Sequence, residues 1–270
     1  MEPQVTVIVP TRNEEKNISA CLQSIKKQDY KNVELIIVDN YSSDKTPRIA
    51  KKFTPNVYSF GPERSAQRNF GAKKAKGNWL LFLDADQKAP VNLISKCILK
   101  IKKNPKIKVL IIAERVNRNG FWSKCRDLEK RSYFGNDLVE APRFTNKKTF
   151  AKTDGYDENL IAGEDWDLAA RLRAKKYKIA RISIPLINFG KITLLSAAKK
   201  KFYYGQKIGQ YLKKNPKLAK KQLSFFRFRG FFNNKLFLNH PILALGLLIL
   251  KTVEFVSGTT GLLYGKIKKS

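Results

Sequence analysis

Short apolar runs alternate with amphipathic stretches through the first two thirds of the chain. Val5–Val9 and Val33–Val38 read as strands, as does Trp79–Leu83, and Ile107–Ile112 is another candidate. Leu80–Leu83 places four aliphatic or aromatic residues in a row, which suits a strand covered on both faces. Between these runs, Asn13–Lys27 carries Ile18, Leu22 and Ile25 at helical spacing. A helix is expected after Ser43, and Arg64–Lys76 reads as a third. The alternation predicts an α/β fold around a mostly parallel sheet, with right-handed connections. No repeat and no long low-complexity linker interrupts it.

Three of the predicted strands stop at polar clusters. Val9 is followed by Pro10-Thr11-Arg12-Asn13-Glu14-Glu15, Val38 by Asp39-Asn40-Tyr41-Ser42-Ser43-Asp44, and Leu83 by Asp84-Ala85-Asp86-Gln87. Ligands of open α/β sheets bind outside the carboxyl ends of strands, so these clusters fall on one expected edge. Asp-x-Asp there can hold a divalent cation through hard oxygens and leave positions for phosphates. Helix capping is the competing reading: Asp86 before the helix that follows Pro90, Thr11 or Asn13 before the first helix, Ser43 or Asp44 before the second. Capping leaves unexplained why three strand ends expose polar groups on the same edge.

A fourth polar cluster comes later, at Gly155-Tyr156-Asp157 and Gly163-Glu164-Asp165-Trp166-Asp167-Leu168. Leu168 and Leu172 lie four apart, which places a helix start here. Its acids suit the positive end of a helix dipole. One of them can equally serve as a general base toward an attacking hydroxyl.

In this order, Val-Pro-Thr-Arg-Asn-Glu-Glu, Val-Asp-Asn-Tyr-Ser-Ser-Asp, Arg68-Asn69-x-Gly71, Leu-Asp-Ala-Asp and Gly-Glu-Asp-Trp-Asp-Leu resemble the family 2 glycosyltransferases of the GT-A fold. The resemblance covers residues 4–190. It implies a Rossmann-like mixed, mostly parallel sheet flanked by helices, a nucleotide-sugar donor (a UDP-sugar by family tendency), Mn²⁺ or Mg²⁺, and inversion at the anomeric carbon. It also implies roles for residues. Asp86 would be the direct metal ligand, with Asp84 beside it on metal or ribose and Ala85 between them at the donor. Pro10, Thr11, Arg12, Glu14 and Asp39 would line the nucleoside pocket, Asp39 accepting from the base N–H, and Arg68 would lie near the diphosphate. Asp165 would be the base, with Glu164 beside it and Trp166 at the acceptor. Many members place a histidine some twenty residues after the Glu-Asp motif to complete the metal shell. Here Asn188 holds that place, and an amide oxygen suits a hard cation. The single histidine, His240, precedes Pro241 far away and is assigned a structural role.

Charge adds location to this picture. The formal net charge is +32, and from Ser196 to Ser270 sixteen Lys or Arg face the single acid Glu254. Residues 1–195 are therefore expected to form the catalytic domain and 196–270 a basic, amphipathic helical extension. That extension interleaves its cations with Phe202-Tyr203-Tyr204, with the aromatic run Phe225–Phe232 and with the apolar run Ile242–Leu250. Such a composition suits an anionic membrane surface, with aromatics at the headgroups. It also suits RNA or DNA, or a merely solvated basic face. Pro241–Gly265 approaches the length of a bilayer span, but Lys251 and Glu254 sit in its middle. A mid-membrane charge costs about 2.5–3.5 kcal/mol on insertion scales, which two residues three apart on a helix can offset by pairing. A peripheral or monotopic attachment is therefore expected, a short re-entrant or single span being the alternative, and no nucleic-acid partner. No signal peptide is read in Met1–Gln4. Cys21, Cys97 and Cys125 are dispersed, as in reducing compartments. Together these predict work at the cytoplasmic face of the cell membrane.

A membrane site suggests a lipid-linked acceptor. Arg115, Arg118, Arg126, Arg131 and Arg143 lie in the stretch that the resemblance places near the acceptor, where forked donors suit phosphate. Ion pairs with Asp127, Glu129 and Glu140 are expected to absorb about half of them, and Arg143 is retained as acceptor-binding. A bare polyprenyl phosphate needs no base, so Glu164-Asp165 favours a sugar hydroxyl on a lipid-linked saccharide. A polyprenyl-phosphate glycosyltransferase is the near alternative, and a basic nucleic-acid-binding protein without transferase activity the distant one.

Overall fold

The computed structural model describes residues 2–223 and 235–268, so the aromatic run Phe225–Phe232 lies outside the described residues. Two compact units emerge, each drawing on several segments. The first contains Met1–Glu114, Ala141–Glu158 and Leu168–Phe189; the second contains Arg115–Glu140, Asn159–Asp167 and Gly190–Ser270.

The first unit is built on one sheet of eight strands. These are β1 (Val5–Thr11), β2 (Val33–Asp39), β3 (Val57–Ser59), β4 (Trp79–Phe82), β5 (Gln87–Lys88), β6 (Ile107–Val116), β7 (Phe144–Asn146) and β8 (Lys178–Asn188), in the order β3-β2-β1-β4-β7-β6-β8-β5. β1 pairs in parallel with β2 and β4, and β2 with β3. β7 runs antiparallel to β4 and β6, and β5 antiparallel to β8. Strand alternation splits the core between two faces. Val5, Val7, Val9, Leu35, Ile37 and Leu81 join the helices α1 (Ile18–Lys26) and α4 (Leu93–Lys103) on one side. Ile8, Ile36, Val38, Leu80 and Phe82 pack on the other with α3 (Arg64–Lys74) and with Leu168 and Leu172 of α7 (Glu164–Ala174). Gly71 explains how α3 comes so close to the sheet: a Cβ there would lie 2.5 Å from a methyl of Ile8.

The expected GT-A-type sheet is present, with two local departures from the sequence reading. The first helix starts at Ile18 rather than Asn13. Asn13 adopts φ 53°, and the amides of Asn13, Glu14 and Glu15 donate instead to Ser42 Oγ, Thr46 Oγ1 and Asp44 Oδ2. Residues 12–17 are thus a loop tied to the one before α2 (Thr46–Ala50). The helix after Pro90 begins at Leu93 with Asn92 at its cap position, so Asp86 does not cap it.

The second unit is helical: α5 (Phe121–Ser132), then α8 (Leu194–Lys207), α9 (Gly209–Lys214), α10 (Pro216–Leu223), α11 (Lys235–Leu238) and α12 (Pro241–Ile267), while α6 (Lys147–Lys152) belongs to the first. Cys125 and Leu128 of α5, Ala197 of α8, and Leu247 and Leu250 of α12 share one core. Gly261 lets α12 lie directly against the Phe202 carbonyl of α8. The opposite side of α12 is apolar and exposed: Ile242 and Phe255 are 74% and 72% accessible, and Leu245, Val256 and Leu263 are also exposed. By length and composition this 27-residue helix could cross a membrane.

Candidate active site

The carboxyl end of β4 carries the centre of the site. Asp84 lies one residue beyond the strand, and its backbone is fixed by the Asp84 amide donating to Gln87 Oε1 at 3.1 Å. Its carboxylate meets two buried arginines. Arg68 of α3, fully buried, donates from Nη2 to Oδ1 at 2.7 Å. Arg143, just ahead of β7, donates from Nη2 to Oδ2 at 3.3 Å and to Glu114 Oε1 at 2.7 Å. The Tyr156 ring lies 5.0 Å from the Arg68 guanidinium carbon, a cation–π contact. Burial alone would raise the Asp84 pKa, but Arg143, Arg68 and Arg64 together hold it well below the usual carboxylate range. The stabilisation from this ionised form is complete above that range and fades only as pH falls through the lowered value.

Asp86 sits two residues on, half-buried, while the Ala85 side chain between them turns into the core. The β5–β8 pair brings Asn188 beside it: Gln87 pairs with Asn188, and the Phe189 amide donates to the Asp86 carbonyl at 3.0 Å. Asn188 Nδ2 reaches Asp86 Oδ2 at 3.4 Å. Turning the amide over presents Oδ1 in place of Nδ2, which sets two hard oxygens side by side. Among the described residues no group of three or more His, Cys, Asp or Glu gathers as a complete metal cage. Mg²⁺-type sites commonly use one or two carboxylates plus substrate phosphates and waters. Asp86 with Asn188 fits that donor set; Asp84, held by two arginines, fits it less well.

The ends of β1 and β2 form the adjoining wall. Thr11 Oγ1 donates to Asp39 Oδ1 at 2.8 Å, and Ser42 donates to both Asp39 oxygens, at 2.6 Å from its hydroxyl and 2.8 Å from its amide. Gln67 of α3 ties the two strands by donating to the carbonyls of Thr11 and Val38. Pro10 is buried in β1, Arg12 is exposed, and half-buried Glu14 accepts from Asn17 Nδ2 at 2.8 Å.

The Glu164–Asp167 segment belongs to the second unit as the first turn of α7. Glu164 is buried and Asp165 half-buried. Asp167 is buried and accepts from Asn215 Nδ2 at 3.1 Å and Lys214 Nζ at 3.0 Å, so its role is structural. Trp166 donates from its indole to the Val139 carbonyl at 3.3 Å. Gly163, at φ +82°, sets the turn into the helix over the Tyr211 ring, which a Cβ would approach to 2.6 Å. Gly163→Ala therefore meets both backbone strain and a clash. Chemical denaturation should show a loss of about 1–3 kcal/mol.

Asp84, Asp86, Arg68 and Asn188, which the resemblance assigns to donor and metal, lie near one another at the carboxyl end of β4. Arg143, chosen for the acceptor, is instead buried as the second cation on Asp84. Of the other arginines, Arg115 is clamped by Asp127 through contacts of 2.6 and 2.7 Å, and half-buried Arg126 pairs with Glu129 and Glu254. Glu114 and Tyr156 went unnoticed as partners of the arginines. Tyr156 stands inside a quoted motif, but only the folded chain shows its ring against Arg68.

The family model for glycosyl transferase family 2 matches residues 6–157. The chain belongs to glycosyltransferase family 2. That match contains Arg68, Asp84, Asp86 and Arg143, while Asp165 and Asn188 lie beyond it. This family 2 chain is 29% identical over 225 residues to an uncharacterised glycosyltransferase of Methanocaldococcus jannaschii, spanning 75% of this chain and 77% of that one. An uncharacterised glycosyltransferase of Haemophilus influenzae is 30% identical over 181 residues, 62% of this chain and 61% of its own. The poly(ribitol-phosphate) β-N-acetylglucosaminyltransferase TarS of Staphylococcus aureus is 27% identical, with only 35% of its length matched. Thus the chain spans less than two thirds of two of these three relatives. Among solved structures, the Pyrobaculum calidifontis mannosyltransferase in complex with GDP-Man and Mn²⁺ superposes with a TM-score of 0.68 at 16% identity, covering 98% of this chain and 88% of that one. TarS residues 1–349 with UDP-GlcNAc gives 0.58 at 19%, covering 85% and 79%. These neighbours establish the GT-A fold.

Proposed function

We propose that the protein moves a sugar, with inversion, from a nucleotide-sugar donor to a hydroxyl of a lipid-linked saccharide at the cytoplasmic face of a membrane. The division of labour at the end of β4 carries the reading: Asp84 is bound by two arginines, whereas Asp86 faces an amide that can offer a second oxygen. Two solved neighbours that bind UDP-GlcNAc and GDP-Man lend support on the donor side. The outward apolar face of α12 and the basic tail support the membrane side.

A divalent cation, Mn²⁺ or Mg²⁺, held by Asp86 and Asn188 would neutralise the charge that grows on the diphosphate as it leaves. The chain's own groups do the rest. Arg68 and Arg143 hold Asp84 ionised and in place at the donor. The wall built from Thr11 and Asp39 is the candidate nucleoside surface, with Pro10, Arg12 and Glu14 flanking it. Asp165, beside Glu164, takes the proton of the acceptor hydroxyl while that oxygen bonds the anomeric carbon. The bond from that carbon to the diphosphate breaks with its electron pair on the leaving group. Trp166, next to this base in the chain, would contact the acceptor. Residues 1–195 would carry this chemistry and 196–270 the attachment.

The test begins with a panel of nucleotide sugars, each with Mn²⁺, Mg²⁺ or EDTA, read by thermal stabilisation of the detergent-purified chain. A matching donor at a hundredfold over its Kd stabilises by about 2.7 kcal/mol. Metal-dependent stabilisation by one donor is expected, and Asp86→Asn should remove the metal dependence. Transfer is then followed by mass spectrometry of lipid-linked saccharide and polyprenyl phosphate acceptors. A chain stabilised by no nucleotide sugar, or one that glycosylates only the bare phosphate, overturns the proposal.

A further inference from the structure

The second unit contains a cationic cleft that the proposed chemistry does not use. It has a volume of about 260 Å³ and lies where the end of β6, the start of α5 and the first turn of α12 meet. Arg115, Arg118, Lys124 and Arg131 line it together with His240 and one carboxylate, Asp127. Asp127 spends that charge locally, since it binds Arg115 through both oxygens and also accepts from the Val116 amide at 2.9 Å. With Arg115 and Asp127 cancelling each other, the lining has an excess of three positive charges, from Arg118, Lys124 and Arg131. It also has guanidinium forks, which match phosphate oxygens in pairs.

The apolar surroundings narrow the anion further. Leu243 of α12 lines the same cleft, and its neighbour Ile242 is 74% accessible. On α5, Phe121 is 42% accessible three residues before Lys124. A cationic pocket flanked by exposed apolar side chains matches a ligand with an anionic head and a hydrocarbon tail.

We propose that this cleft binds the phosphate or diphosphate group of a lipid. The lipid source rests on the membrane reading above; the anion site itself does not.

The probes are inorganic pyrophosphate, farnesyl diphosphate and farnesol, titrated into the full chain in detergent with excess UDP to occupy a donor site. Farnesyl diphosphate should bind best, pyrophosphate at least tenfold more weakly, and farnesol weakest. Replacing Lys124 and Arg131 by Gln together should weaken both phosphate probes at least tenfold and leave UDP binding as in the parent. The same loss of charge at Lys217 and Lys220 of α10 should leave all three probes unchanged. Equal binding of pyrophosphate and farnesyl diphosphate, still lost in the cleft variant, would support the anion site and assign it to a soluble phosphate. Unchanged binding in the cleft variant overturns the inference, as does an equal loss in the α10 control. Failure of the functional proposal would appear separately, as absent UDP binding or absent transfer.

Discussion

Asp165→Asn should lower kcat by about 10²–10⁴-fold, the usual contribution of a positioned general base, and leave donor binding intact. The substitution keeps the size and shape of the side chain and removes only its ability to accept a proton. Asp165 stands in the first turn of α7, where a carboxylate also interacts favourably with the helix dipole. That contribution is about 0.3–1 kcal/mol at an exposed end, so the folded state should survive. The neighbouring acids serve as internal controls. Asp167 is buried against Lys214 and Asn215, and Asp167→Asn should cost stability more than chemistry. Glu164 is buried in the same turn. The measurement is kcat and KM for transfer, with the melting temperature of each variant alongside. Turnover of Asp165→Asn within a few fold of the parent would take the base role away from it.

Strands β1, β2 and β4 were legible because a parallel strand buried on both faces writes itself as a continuous apolar run. β5 and β7 were not, being two and three residues long and held in place by partners distant in the chain. Their absence from the sequence reading hid a functional point, since the β5–β8 pairing is what sets Asn188 beside Asp86. The resemblance gave Asp84 and Asp86 different roles, yet the physical cause of their difference could not be read from the sequence. It arises from Arg68 and Arg143, which arrive from α3 and from the segment before β7. Arg143 shows the same limit from the other side. Its charge invited a ligand, whereas its burial and its contacts with Asp84 and Glu114 show it holding the site together. The Lys251–Glu254 pair was readable at a spacing of three, but its counterparts on α5 were not.

Those counterparts make Glu254 the position where a one-atom change should cost most in stability. Glu254, buried on α12, accepts from Arg126 of α5 and from Lys251 at 2.7 Å. Glu129, also buried, accepts from Arg126, from Lys251 at 2.9 Å and from the Tyr133 hydroxyl at 2.8 Å. Arg126 and Lys251 thus bind both carboxylates directly inside the helical unit, and Lys201 of α8 adds a third cation close to Glu254. Burial would raise the Glu129 pKa, but Arg126 and Lys251 hold it well below its ordinary value. Its stabilisation is present above the carboxylate range and lost as pH falls through the lowered value, so the helical unit should loosen in acid. Glu254→Gln leaves Arg126, Lys251 and Lys201 facing the single carboxylate of Glu129, and breaking a buried pair from one side costs about 3–5 kcal/mol. For a chain of this size each kcal/mol lowers Tm by about 2–4 °C. Replacing both members, Lys251→Met with Glu254→Leu, should recover most of that loss, because Arg126 and Glu129 remain paired and apolar groups fill the space. Calorimetry of the single and double variants separates the two outcomes. If the single change is neutral, or the double is the worse of the two, these charges do not hold α12 against α5.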